Sequence, residues 1–287
     1  MEQTDTDSLP GTGPVSADIG LIDWQGDTPF SPRYGDRYHT LSGARAQSEH
    51  VFLGGCGLPG AWSGQQDWCI LETGFGLGLN FLATWACWLQ HPERPRRLRF
   101  ISTEAHPVGA DDIRRAARLD PALQALGERL ANCWPHAWPA RPTEPRPTRA
   151  GEKTDDAQQT DDQSTGIPFL KQDFSQPEGR VELLILWGDT ATCLRNWRHL
   201  HGPLGADSIF LDGFDPKKNP AMWSADTLKQ VAAHGKPDTR MATWCVARSV
   251  RDAATEAGFS VGRLPGLPPK RHCLAGSLGN RKARIMS

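Results

Sequence analysis

The sequence predicts an α/β protein organised around a parallel sheet, and three observations predict it. A short apolar run, Cys69-Ile70-Leu71, ends in Glu72 and is followed by glycines at alternate positions, Gly74, Gly76 and Gly78, then by a segment over 79–89 with helical spacing. Apolar runs of strand length recur at 98–104, 181–187 and 208–212, and each closes on or just before an acid: Glu104, Asp189 and Asp212. These runs alternate with helix-length segments, the pattern of βαβ units. Parallel sheets bind ligands outside the carboxyl ends of their strands, so the glycine turn and the three acids are predicted to gather on one edge.

With 287 residues the chain is long enough for one large α/β domain with additions. A net charge of −1 gives no global basic signal, so any contact with nucleic acid must come from local patches. Seven cysteines show no C-x-x-C pair and no metal-ligand spacing with the nine histidines, which predicts buried thiols and no metal. No apolar run is long enough to span a bilayer and the polar, acidic start is unlike a signal peptide, so a soluble, cytoplasmic protein is expected.

Residues 1–17 hold almost no large apolar side chain and are predicted to be a flexible tail. Residues 18–66 form an N-terminal addition with two clusters, Tyr34-Gly35-Asp36-Arg37-Tyr38-His39 and Val51-Phe52-Leu53. The second, closed by Gly54-Gly55, reads as a strand ending in a turn. The main domain, 67–287, opens with the glycine turn. Its second strand ends at Glu104, a little over twenty residues past Gly78, the separation that places a carboxylate against ribose hydroxyls in Rossmann-like units. Helices are predicted over 111–119 and 121–132; the arginines Arg114, Arg115 and Arg118 read as a solvated face, with an RNA-phosphate patch as the sharper alternative. Residues 140–167 are a low-complexity insertion. Strand 181–187 leads into a helix over 191–200, and strand 208–212 into an irregular basic and aromatic loop, Pro216-Lys217-Lys218-Asn219-Pro220-Ala221-Met222-Trp223. There follow a helix over 225–233, a strand over 239–246, a helix over 249–257 closed by Gly258, a strand over 259–264, a Pro-rich loop carrying Lys270-Arg271, a short strand at 273–276, and a basic tail with Arg281, Lys282 and Arg284. Most of the eleven tryptophans fall inside apolar segments and are predicted to be core.

The glycine turn carries the chemistry. Glycines let the backbone pass close to a ligand, and the start of the next helix offers unpaired N–H groups. A dinucleotide fingerprint would need glycine at Leu79 or Phe81, and neither is glycine. The arrangement E-x-G-x-G-x-G resembles instead that of S-adenosylmethionine-dependent methyltransferases; a glycine-rich turn without a ligand is the alternative.

Three strings extend the resemblance: Glu72-Thr73-Gly74-Phe75-Gly76-Leu77-Gly78-Leu79-Asn80-Phe81-Leu82, Leu186-Trp187-Gly188-Asp189, and Leu211-Asp212-Gly213-Phe214-Asp215-Pro216-Lys217-Lys218-Asn219-Pro220-Ala221-Met222-Trp223. With Gly35-Asp36-Arg37-Tyr38 and Val51-Phe52-Leu53-Gly54-Gly55, they resemble the methyltransferase of the tRNA 5-methylaminomethyl-2-thiouridine biosynthesis family, either the amino-terminal half of bifunctional MnmC or the free-standing MnmD type. The resemblance implies a class I methyltransferase fold, a seven-stranded sheet with its last strand antiparallel, with S-adenosylmethionine as methyl donor and 5-aminomethyl-uridine at the tRNA wobble position as acceptor. It further implies that Glu72, Thr73, Gly74, Gly76, Gly78 and Asn80 form the cofactor turn, that Glu104 takes the ribose, that Asp189 lies by the adenine, and that Asp212 faces the transferring methyl. Asp36, Tyr38, Phe214, Pro216, Lys218, Asn219 and Pro220 would lie beside the acceptor, and Lys217, Lys218, Lys270 and Arg271 would meet phosphates of the anticodon stem-loop.

The sequence departs from the family at Lys236-Pro237-Asp238, where a glycine pair is usual, and at Pro268-Pro269-Lys270-Arg271-His272, where a Gly-Arg-Lys-Arg run is usual. A flavin-dependent oxidase half has no counterpart in these residues, which leaves either a monofunctional protein coupled to a separate oxidase or other aminomethyl-forming system, or a fragment of a bifunctional one. Two other classes remain open: an aminopropyltransferase-like or other small-amine transferase, and a catalytically silent RNA- or partner-binding relative.

Overall fold

In the computed structural model, residues 20–39, 43–135, 168–177 and 179–279 are described. The predicted tail 1–17, the insertion 140–167 and the basic Arg281, Lys282 and Arg284 lie outside the described residues.

The chain begins with a small antiparallel sheet, β1 (Asp23–Gln25), β2 (Thr28–Ser31) and β3 (Asp36–Arg37). A helical segment follows: α1 (Ala44–Gln47) runs directly into a π-helical stretch, Ser48–Leu53. This corrects the strand predicted at Val51-Phe52-Leu53. Three apolar residues in a row suit a buried strand or a buried helix equally, and the whole turn is buried here, with Phe52 against Phe210 at 5.5 Å between ring centroids. Gly55 is a close-packing site rather than a turn: a Cβ there would stand 2.7 Å from the Cβ of Ala242.

The main sheet then builds in chain order from β4 (Asp67–Thr73), α2 (Leu79–Gln90), β5 (Arg97–Glu104), α3 (Ala110–Ala117), α4 (Pro121–Asn132), β6 (Phe169–Gln176), β7 (Gly179–Trp187), α5 (Thr190–His201), β8 (Ala206–Leu211), α6 (Ala225–Ala233), β9 (Gly235–Thr243), α7 (Arg248–Ala257), β10 (Phe259–Pro265) and β11 (His272–Leu278). The strand order is β10-β11-β9-β8-β4-β5-β7-β6. The central five strands are parallel. The last strand in sequence, β11, is antiparallel to both neighbours, as expected.

An eighth strand, β6, was not predicted. It pairs antiparallel with β7 and closes the outer edge of the sheet. Its signal is short: Leu170 and Phe174 point inward between exposed Lys171, Asp173 and Ser175, and Phe174 packs on Trp85 at 4.6 Å. β9 also starts earlier than expected, taking in Lys236-Pro237-Asp238. These residues form an irregular start to the strand, with Asp238 at φ 66° and the register against β8 shifted there.

Helix starts follow local chemistry. Asp120 caps α4 with Pro121 at its first position, Asp189 caps α5 and Ser224 caps α6, each side chain accepting a backbone N–H. One face of the sheet is covered by α2, α3, α4 and the N-terminal segment, around fully buried Trp62, Trp85 and Trp88; the other by α5, α6 and α7. The α3 arginines serve structure. Arg114 pairs with Asp111 (2.8 Å) and Glu128 (3.1 Å), and Arg115 stacks on Trp24, whose indole N–H donates to Asp112 (2.7 Å). Among the described residues no helix is long and apolar enough to cross a membrane.

Gly127 sets how closely α4 lies on α3: a Cβ there would stand 2.2 Å from that of Ala117. Gly127→Val is expected to lower stability by roughly 1–3 kcal/mol, since overpacking exceeds the few tenths gained in helix propensity. Urea unfolding should show a lower midpoint with an unchanged slope.

Candidate active site

The glycine turn leaves β4 with Gly74, Gly76 and Gly78 all in the left-handed region, at φ 76°, 54° and 72°. Gly74 N–H and Phe75 N–H both donate to the carbonyl of Thr103 on β5, which bends the chain sharply across the strand ends. Glu104, at the end of β5, accepts from Gly76 N–H (2.8 Å) and His106 N–H (2.6 Å). Its two oxygens are thereby fixed under the turn. A side chain at Gly76 would begin 3.4 Å from the ring of Tyr38, which covers the turn from β3's end.

Behind the turn lies a buried polar network. Asn80, in the first turn of α2, donates from Nδ2 to Glu72 Oε1 (2.9 Å) and to Asp212 Oδ2 (2.8 Å), and its Oδ1 accepts from Ser48 Oγ (2.5 Å). Ser102 Oγ donates to Glu72 Oε2 (2.8 Å). Thr73 clamps the ends of β4 and β8 together: its hydroxyl donates to the Asp212 carbonyl (2.7 Å) and accepts from Asp212 N–H (3.1 Å). Asp212 Oδ1 accepts from Gly213 N–H (2.8 Å) and from the indole N–H of Trp244 (2.9 Å). A carboxylate has about four acceptor positions. Three are used by the protein, which leaves one on Oδ2.

Burial raises the carboxyls of both Glu72 and Asp212. For Glu72, only 1 % exposed, the charge of Asp212 adds to the rise and the bonds from Ser102 and Asn80 oppose it. For Asp212 the bonds from Gly213, Asn80 and Trp244 oppose the rise, as does the charge of Lys270. Lys270 sits with Nζ 3.3 Å from the centre of the Trp244 ring, and burial lowers its pKa.

A cavity of about 480 Å³, the size of a small-ligand site, opens over this floor. Of the predicted site residues, Gly74, Gly76, Asn80, Glu104, Asp189, Asp212, Asp36, Tyr38, Phe214, Asn219 and Lys270 line it. Glu72, Thr73 and Gly78 do not: the first two hold Asn80 and Asp212 from behind, and Gly78 starts α2 against Phe75 and Leu130. Pro216, Lys217, Lys218, Pro220 and Arg271 also lie outside the lining. Two of the residues expected at phosphates make contacts within the protein. Lys218 binds Asp36 (3.1 Å) and the Gly35 carbonyl, and Lys270 turns into the cavity. Asp36 also accepts from Asp215 N–H (3.0 Å), so the N-terminal addition pins the loop after β8. Tyr34 stacks on Phe214 at 4.5 Å and Tyr38 meets it edge-on at 5.1 Å.

The members of the site that were missed include Trp244, Ser48, Ser102 and Tyr34. Trp244 stands just past the end of β9, but the expected strand ran on to 246 and placed it inside rather than at the end. Ser48 gave no signal: it precedes the strand expected at Val51-Phe52-Leu53, and the helical course of the segment carries its hydroxyl to Asn80. Among the described residues no group of three or more His, Cys, Asp or Glu side chains is placed to hold a metal ion.

The profile of a family described as S-adenosyl-L-methionine-dependent methyltransferase matches residues 152–279. Over 254 residues, 88% of the chain, the sequence is 46% identical to the tRNA 5-methylaminomethyl-2-thiouridine biosynthesis bifunctional protein MnmC of Delftia acidovorans. The chain belongs to the MnmC methyltransferase family. The MnmC of Polaromonas naphthalenivorans is 44% identical over 251 residues, again 88% of the chain. The chain spans 34% of the length of each of these relatives, about a third. The crystal structure of MNMC2 from Aquifex aeolicus shares the fold, with a TM-score of 0.63 at 20% identity over 95% of this chain and 76% of that one. S-adenosyl-L-methionine is the cofactor of the MnmC methyltransferase family, and the site fits it: the turn is bare of side chains where Cβ atoms would project toward Tyr38 and Asp212, and carboxylates stand at three strand ends around the same cavity.

Glu72 yields a pH test. Its carboxyl is raised, so the native state keeps a proton that the unfolded state has lost, and stability falls as pH rises above the unfolded carboxyl pKa of about 4.3. Glu72→Gln removes this ionisation while keeping the shape. Its melting temperature relative to the unaltered protein is expected to improve steadily from pH 5 to pH 8; a constant difference across that range would count against the raised carboxyl.

Proposed function

We propose that this chain transfers a methyl group from S-adenosyl-L-methionine to the primary amine of 5-aminomethyl-uridine, or its 2-thio form, at the wobble position of tRNA, giving the 5-methylaminomethyl product. The observation that carries the reading is Asp212, fixed by three donors beside the glycine turn with one acceptor position left toward the cavity. The name borne by the relatives supplies the substrate class.

The cofactor, when bound, supplies a methyl group activated on a sulfonium. The rest falls to the chain. An alkylamine resembles lysine, with a pKa of about 10.4, so it arrives mostly as an ammonium that cannot attack. Asp212 accepts a hydrogen bond from the amine at Oδ2, aims its lone pair, and holds the proton lost on transfer. Burial makes Asp212 a better proton acceptor than a surface carboxylate, since its charged form is disfavoured. Glu72 and Asn80 act at one remove by holding Asp212 in place. Glu104 is suited to the ribose hydroxyls and Asp189 to the adenine edge of the same cavity. The aromatic group of Tyr34, Tyr38 and Phe214 offers apolar faces for the uracil ring. Lys217 and Arg271, both exposed, would meet backbone phosphates of the anticodon stem-loop. The reaction would belong to the cytoplasm, with a flavin-dependent oxidase or another aminomethyl-forming system supplying the amine.

The direct test incubates tRNA carrying 5-aminomethyl-uridine with labelled methyl donor and reads the nucleosides by mass spectrometry. Asp212→Ala is expected to cut transfer at least 100-fold, in the range of a general base, while donor binding changes only a few-fold. Transfer retained within a few-fold would remove Asp212 from the reaction. Transfer to a free small amine in preference to tRNA would point to a small-amine transferase instead.

Charge reversal tests the RNA contacts. Lys217→Glu with Arg271→Glu is expected to weaken tRNA binding and to lower the slope of log affinity against log salt by about 1–2. An unchanged slope would rule the two residues out.

A further inference from the structure

Lys270 lies inside the cavity. Its ammonium is stacked on the Trp244 ring, 3.3 Å from the centre, and the N–H of that ring is bonded to Asp212 Oδ1 at 2.9 Å. Lysine, indole and carboxylate therefore form one unit at the reacting end of the cavity, which all three line. The groups that face Lys270 come from several elements: Asp212 after β8, Asp215 in the following loop, Asp36 from β3 and the Cys245 thiol after β9. Two of these carboxylates are engaged elsewhere. Asp36 binds Lys218 and Asp215 N–H, and Asp215 accepts from Lys217 N–H. Cys245 stays a neutral thiol, its pKa raised by burial. Asp212 is the carboxylate that shares the indole with Lys270, and it lies where the reading above puts the acceptor amine.

We infer that Lys270 is a positioning residue that sets the acceptor's charge state: it answers the charge of Asp212, so the acceptor enters as the free amine and leaves its proton in solvent. The inference rests on the proposed amine methylation. In its absence Asp212 would be a lone carboxylate that pairs with an ammonium and holds it in the form that cannot attack. With a cation already beside the carboxylate, a second one is repelled, and the cheaper bound form is neutral. The proton balance is simple: one N–H bond of the ammonium breaks, the electron pair stays on nitrogen, and the proton goes to water before the methyl group is transferred.

The test uses an anticodon stem-loop RNA with 5-aminomethyl-uridine, bound in the presence of S-adenosylhomocysteine so that no transfer occurs. Calorimetry at pH 7 in two buffers of different ionisation enthalpy counts the protons released. The unaltered protein is expected to release close to one proton per RNA, Lys270→Arg about the same, and Lys270→Met well under half as many. With S-adenosylmethionine, the acidic limb of kcat is expected to move up by about one pH unit in Lys270→Met and to stay put in Lys270→Arg. Equal proton release from the unaltered protein and Lys270→Met overturns the inference, and a rate that falls by the same factor at every pH marks Lys270 as packing alone. A change in salt slope without a change in proton release marks it as a phosphate contact and overturns the inference too. Absence of transfer by the unaltered protein at every pH overturns the proposed reaction and this inference with it, whereas transfer with unchanged proton counts overturns the inference alone.

Discussion

Asn80 donates to two carboxylates at the floor of the cavity, and the rest of the site depends on that amide. Glu72 and Asp212 repel each other when both are ionised, and each is penalised by burial. The single NH₂ group of Asn80 bridges them, while Ser48 fixes the amide's orientation by donating to its oxygen. Both polar atoms of the amide are thereby committed, in three hydrogen bonds that fix its orientation. Leaving a buried donor or acceptor unmet costs about 1–3 kcal/mol, so a network of this kind holds its geometry or loses it as a whole. Asp212 inherits its aim from this arrangement, and from the Thr73 hydroxyl that ties its backbone to the end of β4.

The same logic explains why the N-terminal segment belongs to the site although it precedes the main sheet. The π-helical stretch places Ser48 over α2, and a regular helix of the same length would set that hydroxyl on another bearing. Asp36 and Lys218 lock the small sheet to the loop after β8, and Tyr34 and Tyr38 close on Phe214 of that loop. The small sheet itself is anchored by Trp24, held between Asp112 and Arg115 on α3. Arg115 thus helps explain the position of a covering element, while Arg114 pairs with Asp111 and Glu128.

Sequence made the parallel sheet and its acid-bearing strand ends legible, because burial on both faces leaves uninterrupted apolar runs and because ligands meet such sheets at one edge. Gly74, Gly76, Glu104, Asp189 and Asp212 could be placed together from those two facts. What escaped was decided by partners far along the chain. Val51-Phe52-Leu53 became helical because α2 and β9 bury it from two sides, which no local pattern states. β6 has only Leu170 and Phe174 to announce it, beside a long polar stretch. The charge of Lys218 and Lys270 was visible, but the direction of their side chains depends on Asp36 and Trp244, which lie far off in sequence.

Glu72 shows how a motif residue can act from beneath the turn. The first acid of E-x-G-x-G-x-G was expected at the cofactor, yet the structure buries it beneath the turn with both oxygens bonded to the protein. Its position in the motif follows from geometry. Alternating side chains on β4 send Thr73 toward β8 and Glu72 toward α2, and the turn that begins at Gly74 brings Asn80 back over Glu72 within a single helical turn of the helix start. An acid two residues before the first glycine and an amide two residues after the third are therefore one device. The glycines keep the turn bare over the cavity, and the acid and amide behind them fix the Asp212 carboxylate that lines it.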